Sequence, residues 1–309
     1  PGSLPQAPAG PSTPTDAVKL ERRELGEAGF GPDLIQVLPA PVNNALTKEL
    51  MRQCDLIVCT GSQNNVRGAY SSCTPAIGVG AGNVPVIIDS DIDYDDAAGK
   101  ICASKTFGNS TSCSSENSLV IIADAFDEAI AALEGAGGYM ADGAGRQRII
   151  DTLWVNGNQN RHVLAKDPEV LVDAFGLPDA ARGSKFFMAM EEGVGDDFPL
   201  SDEKLSLVLT IYRVKDFDAA VAKVDEILAY NGAGHSCGIH TNDTAKPRRL
   251  AEELNVVRVP VNQAKTFGNG DRFNNGRNCN CGLCGGQMEG RSITAHLSSQ
   301  HVYTHINRR

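Results

Sequence analysis

Nowhere in the 309 residues does an apolar run approach the roughly 20 residues that a membrane-spanning helix requires, so no such helix is expected. Basic residues are outnumbered: the net charge of -10 argues against nucleic acid as a partner, because a duplex-binding surface needs clustered Lys and Arg. The first residues carry neither a basic stretch nor an apolar core, so no secretory signal is read there. The nine cysteines are odd in number and scattered, which is a poor basis for a disulfide framework and fits a reducing cytoplasm. What is present, 41% hydrophobic and 21% charged residues, is the composition of a globular protein long enough for two domains.

Residues 1 to 14, PGSLPQAPAGPSTP, are too rich in Pro, Gly and Ser to fold alone and are read as a flexible leader. From Asp16, a candidate helix cap, the chain alternates between helical and extended patterns. Helices are expected from Asp16 to about Phe30, over 43–53 and from 62 through Tyr70. Strands are expected at 34–38, 55–62 and within 76–89. Further on, helices are expected at 93–106, 126–135, 216–230 and 244–255, and strands at 118–123, 205–212, 236–241 and 256–262. Residues 136 to 197 receive no assignment. The β-α-β alternation predicts an α/β fold with a parallel sheet and helices on its faces. KTFGN occurs twice, at 105 and at 265; with such different surroundings the match reads as coincidence.

Two short segments carry chemistry. Cys113 lies in KTFGNSTSCSSENS, a run of small polar residues directly ahead of the apolar Leu119-Val120-Ile121-Ile122. A core thiol sits among apolar neighbours; one in a flexible polar collar is placed to be reached, as a nucleophilic cysteine must be. CTGS, residues 59 to 62, lies where a strand hands over to a helix N-terminus, a setting that favours a phosphate but that backbone geometry alone also explains.

Four blocks then carry a family resemblance: AYSSCTPAIGVGAGNVPVIID (69–89), SKTFGNSTSCSSENSLVI (104–121), FPLSDEKLSLVLTIYRVKDFDAAV (198–221) and GAGHSCGIHT (232–241). Their order and approximate spacing resemble the CoA-acylating aldehyde dehydrogenases, and within that family they look most like the branch acting on sulfoacetaldehyde. The acetaldehyde/alcohol and succinate semialdehyde enzymes are more distant matches. The resemblance implies an aldehyde dehydrogenase-like α/β fold, with a partial Rossmann-type NAD(P)-binding domain over 16–82 and a catalytic domain over 83–285. A tail over 286–309 is expected to serve oligomerisation, making the protein a cytoplasmic homo-oligomer that takes a small aldehyde, NAD or NADP, and coenzyme A. By the same resemblance Cys113 is the catalytic thiol, and Gly61 and Ser62 hold the cofactor pyrophosphate. Glu203 hydrogen-bonds the cofactor ribose, although beside Lys204 it would otherwise read as a surface carboxylate. His235 matches a histidine of the acylating branch, with an acid/base or binding role.

The sequence departs from the family's pattern in three places. Val79 stands where hydrolytic relatives carry a glutamate base, a loss that penalises water far more than a thiol. Cys279, Cys281 and Cys284 form a C-x-C-x2-C cluster, which could hold zinc or an iron–sulfur cluster with His296 or His301. The segment is read as a drifted Gly-rich loop, and no metal site is assigned. Finally, more than a hundred residues of the family's fold precede the point where the match begins, so half of the cofactor crevice is expected to be missing and NAD(P) to bind weakly.

Overall fold

The computed structural model describes residues 2–4, 13–269, 287–288 and 291–292. Cys279, Cys281, Cys284, His296 and His301 lie outside them, as does almost all of the expected C-terminal tail. The chain divides into two compact units.

The first unit holds residues up to Cys59 together with Gln63–Gly78. A short strand, Gly2–Leu4, pairs in parallel with Ile35–Val37, so the expected leader is not wholly flexible; the other elements are α1 (Thr13–Glu27), β1 (Ile35–Val37), α2 (Asn44–Gln53), β2 (Ile57–Thr60), α3 (Gln63–Tyr70) and β3 (Ala76–Val79). Helix α1 begins three residues before the expected cap; Asp16 sits in its first turn, paired with Lys19 at 3.0 Å. Asn43 caps α2 by accepting the Leu46 N–H (3.0 Å), the role its short polar side chain suits. Strands β2 and β3 pair with each other. Few apolar side chains are buried here: Val18, Ile57 and Ala69 are, whereas Phe30, Leu34, Leu46 and Val58 are exposed.

The second unit, Thr60–Ser62 with Val79 onward, is built on one sheet. Its elements are β4 (Val84–Ile88), α4 (Tyr94–Thr106), β5 (Glu116–Ile122), α5 (Phe126–Gly135), β6 (Gly138–Met140), α6 (Gly143–Leu153), α7 (Pro168–Phe175), β7 (Phe186–Met190), β8 (Val208–Val214), α8 (Phe217–Tyr230), β9 (Gly238–His240) and α9 (Ala245–Glu253). The sheet order is β9-β4-β5-β8-β7-β6, every pair parallel. Alternation along the strands separates two cores, as the pleat requires. Val86, Ile88, Leu119, Ile121, Leu209 and Ile211 pack with α4 to α7. Ile87, Val120, Ile122, Tyr212, Val214 and Ile239 pack with α8 and α9. Both faces are covered, which is the normal state of a parallel sheet.

Several expectations are corrected. Strand β8 starts at Val208 rather than 205, because Leu205 has a positive φ of 46° and turns the chain before the strand begins. Residues 256–262 run beside β9 but form only isolated bridges; Pro260 there has no N–H to give a ladder. The unassigned stretch contains β6, α6, α7 and β7. No helix among the described residues is long and apolar enough to cross a membrane.

The two units differ in apolar burial, the main source of stability. Backbone amides of α1 to α3 are therefore expected to exchange with deuterium well ahead of those in β4, β5 and β8. Equal protection, measured by hydrogen-exchange mass spectrometry, would contradict this account.

Candidate active site

In open α/β sheets ligands usually bind beyond the C-terminal strand ends. Here the chemistry-bearing residues gather at the opposite edge. Gly82 and Asn83 lead into β4, Cys113 into β5, Glu203 and Lys204 into β8, and His235 and Ser236 into β9. These four strands are neighbours and parallel, so their N-terminal ends lie along one edge and sequence-distant segments meet there.

Cys113 is exposed, as expected, but its collar is not the flexible loop the composition suggested. Gly108, Asn109 and Ser110 all take positive φ (57°, 52° and 63°), a costly turn for non-glycine residues that persists only when the surroundings fix it. Asn109 Nδ2 donates to Asp167 Oδ1 (2.7 Å) and to the Ala165 carbonyl (3.3 Å). Ser110, Ser114 and Ser115 are buried; Ser110 Oγ donates to Ser115 Oγ at 3.1 Å, and Ser115 N–H to the Ser112 carbonyl at 2.9 Å. The small polar residues thus form a bonded turn that presents one thiol.

Behind the thiol the backbone approach is close. A β-carbon at Gly82 would lie 2.0 Å from the Cys113 carbonyl oxygen and 2.9 Å from Glu203 Oε1, so only glycine fits. The Gly82 N–H donates to Glu203 Oε1 at 2.9 Å. Burial raises the Glu203 carboxyl above its ordinary pKa, opposed by the Gly82 N–H and by the nearby His235. Asn83 Nδ2 donates to the carbonyls of Ser201 (3.0 Å) and Asn231 (2.9 Å), and its Oδ1 accepts from Asn117 Nδ2. Asn117 also reaches the Asp202 carbonyl and accepts the Lys204 N–H. Two asparagines therefore tie the starts of β4, β5 and β8 together.

The floor of the site is a buried ionic layer. Glu116 is fully buried; its Oε1 accepts the Lys265 N–H (2.9 Å) and its carbonyl accepts Lys105 Nζ (2.9 Å). Lys265 Nζ donates to Ser236 Oγ at 2.8 Å, and Ser236 Oγ lies 2.8 Å from His235 Nδ1. Burial raises the Glu116 carboxyl and pushes the Lys105 amine down to about 7. Lys204, whose Nζ donates to the Leu200 and Asp202 carbonyls, is likewise pushed well down by burial.

This layer also explains the repeated KTFGN, whose two copies face each other. Thr266 N–H donates to Ser104 Oγ (2.8 Å), Ser104 Oγ donates to Thr266 Oγ1 (2.9 Å), and the Phe107 and Phe267 rings meet edge to face at 5.0 Å. Both lysines bond at Glu116, Lys105 through its amine and Lys265 through its backbone N–H. Lys105, Glu116, Ser236, Lys265, Gly82, Asn83 and Asn117 were not singled out from sequence, and the doubled KTFGN was the one available signal.

Gly61 and Ser62 are exposed, immediately before α3. Gly61 has φ 137°, and its N–H is taken by the Val79 carbonyl at 3.1 Å. The Gly61 N–H is therefore already engaged and not free for a phosphate, and the part of Gly61 is to shape the turn. Val79 is buried at the end of β3, so no carboxylate is offered from that position. No group of metal-binding side chains occurs among the described residues.

Several known proteins are similar to this chain. Over 288 residues the chain is 43% identical to a Cupriavidus necator protein, sulfoacetaldehyde dehydrogenase (acylating), covering 92% of this chain and 58% of that protein. A Bilophila wadsworthia protein of the same description is 39% identical, over 90% and 62%. An acetylating aldehyde dehydrogenase from Geobacillus thermoglucosidasius superposes with a TM-score of 0.81 at 32% identity, over 86% of this chain and 59% of that one. The chain thus spans about three fifths of the length of these relatives. No family model matches it.

Two predictions follow from the geometry. Gly82→Ala must displace the Cys113 carbonyl, an overpacking that costs about 1–3 kcal/mol; lowered stability in urea and slowed Cys113 alkylation are expected, and unchanged alkylation would refute the close approach. For Lys105, the unfolded chain holds a proton between pH about 7 and 10.5 that the folded chain has released. The cost of burying the amine is full below about 7 and fades as pH rises, so stability gains up to about 1.4 kcal/mol per pH unit there. Lys105→Met is expected to flatten that rise between pH 7 and 9 in urea titrations.

Proposed function

We propose that this chain, a relative of the CoA-acylating aldehyde dehydrogenases in sequence and fold, carries the thioester-forming half of an oxidoreductase that converts sulfoacetaldehyde and coenzyme A to the acyl-CoA. The observation that carries the reading is the exposed thiol of Cys113, held by a strained, bonded turn at an edge where Glu203, His235 and Gly82 also assemble. Such rigidity is what covalent catalysis asks of its nucleophile.

Cys113 Sγ, as the thiolate, adds to the aldehyde carbon and raises an oxyanion. Hydride departure from that carbon re-forms the carbonyl as a thioester on Cys113. Coenzyme A, its thiol proton lost to solvent, then adds to the thioester as the thiolate and Cys113 leaves as the thiolate, restoring the starting state. NAD or NADP would supply the hydride acceptor, with Gly61 and Ser62 proposed for its phosphates and Glu203 for its ribose. The raised Glu203 carboxyl and its anchoring N–H from Gly82 fit a fixed acceptor for a hydroxyl. Val79 supports the choice of coenzyme A over water, because a thiol of pKa ~8.5 needs no strong base whereas water does. The identities of the Cupriavidus and Bilophila relatives support sulfoacetaldehyde as the aldehyde. A homo-oligomer working in the cytoplasm remains part of the proposal.

The test is single-turnover and steady-state oxidation. Cys113→Ala is expected to abolish the acyl-enzyme, while Cys73→Ala, also an exposed cysteine, Cys54→Ala and Cys59→Ala leave it intact. Without coenzyme A, aldehyde oxidation is expected to stop near one turnover; sustained free-acid release would overturn the role given to Val79. Compared with acetaldehyde and succinate semialdehyde, sulfoacetaldehyde is expected to show the highest kcat/KM, and a preference for either of the others would move the substrate assignment.

A further inference from the structure

His235 is almost completely buried, and its two ring nitrogens have different surroundings. Nδ1 lies 2.8 Å from Ser236 Oγ. Nε2 is buried with no partner among the described residues. The proton position can be fixed by counting partners, because Ser236 is itself fully buried and, among the described residues, its hydroxyl is bonded to Lys265 Nζ and His235 Nδ1.

Lys265 Nζ donates to Ser236 Oγ and so uses one of its lone pairs. The Ser236 O–H must then point somewhere, and the ring nitrogen is the acceptor within reach. If Nδ1 carried the proton instead, Ser236 Oγ would accept from both sides and its own hydrogen would point at nothing, while Nε2 would become an unpaired buried acceptor. That arrangement leaves two buried polar groups unsatisfied, and the alternative leaves one.

We infer that Ser236 and Lys265 are positioning residues which hold His235 as the neutral tautomer with its proton on Nε2, so that the ring offers a hydrogen bond to an oxygen acceptor and does not serve as a base. The inference rests on the proposed function for the identity of that acceptor, the carbonyl oxygen that becomes an oxyanion when Cys113 adds. Among the described residues the layer has two buried atoms without a partner, Glu116 Oε2 and His235 Nε2; of the two, Nε2–H is the ring donor, and a developing oxyanion is the acceptor that would complete it. No proton changes hands in this role; the ring ends the reaction as it began. The same lysine backbone N–H that binds Glu116 therefore places the amine that sets the tautomer.

Long-range proton–nitrogen correlation spectra of the whole chain with labelled histidine test this directly, His235 being identified by the signals lost in His235→Gln. The expected result at neutral pH is a neutral ring with Nε2 protonated and Nδ1 bare. Ser236→Thr, which keeps the hydroxyl, is expected to retain that pattern, and Ser236→Ala to lose it. A wild-type ring protonated on Nδ1, or on both nitrogens, overturns the inference, and that reading needs no variant to fold. The spectra do not depend on turnover: an Nε2–H ring in a protein without CoA-dependent oxidation retires the proposed function alone, whereas an Nδ1–H ring in an active protein retires this inference alone.

Discussion

The structure depends on how polar groups are satisfied at the N-terminal edge of β9, β4, β5 and β8. Both faces of the sheet are covered by helices, so apolar packing there is complete and leaves no room for chemistry. At the strand starts the chain must instead dispose of many buried backbone and side-chain polar atoms, each of which costs about 1–3 kcal/mol if left unpaired. The solution is reciprocal. Asn83, Asn117 and Glu116 each bridge segments from different parts of the chain. Positions of reactive residues are thereby fixed by the same bonds that make the edge foldable.

That arrangement explains why so many ionisable side chains are buried together. Lys105, Glu116, Lys204 and Lys265 are all nearly inaccessible, and an apolar set of similar volume would be cheaper to bury. Amines that donate to carbonyls hold loops at defined distances without requiring a partner side chain at every position. Lys204, bonded to the carbonyls of Leu200 and Asp202, shapes the segment that carries Glu203 in this way. Lys105 does the same for the residues between α4 and Cys113.

Legibility in the sequence followed the range of the interactions. Helices α2, α4 and α8 were readable because their caps Asn43, Asp93 and Asp216 lie three residues from the amides they accept. The parallel sheet was readable from alternating elements, and the exposure of Cys113 from its polar neighbours. Between 136 and 197 the signals are weak: β6 is three residues long, and α6 opens on glycines. Strand β7, FFMAM, is the exception, since a continuous apolar run of that length was open to a strand reading. The ionic floor was unreadable for a different reason. Lys105 and Glu116 look like ordinary surface residues until the segments around Ser236 and Lys265 are brought against them, and nothing local announces that meeting. Glu203 was drawn from the family's pattern, and the bond to Gly82 that fixes it joins residues 121 positions apart.

The pairing of the two KTFGN segments has a consequence for the order in which the molecule is made. Ser104 and Thr266 are 162 positions apart, and contacts of such separation form late because a long loop must close before they reward the chain. During synthesis, Cys113 leaves the ribosome well before Lys265 and Thr266 exist. The turn around the thiol can form from its own neighbours, but the layer beneath it cannot. The completed surroundings of Cys113 are therefore a late product of folding, and a nascent chain carries that thiol for much of its growth without the ionic layer that underlies it in the folded protein.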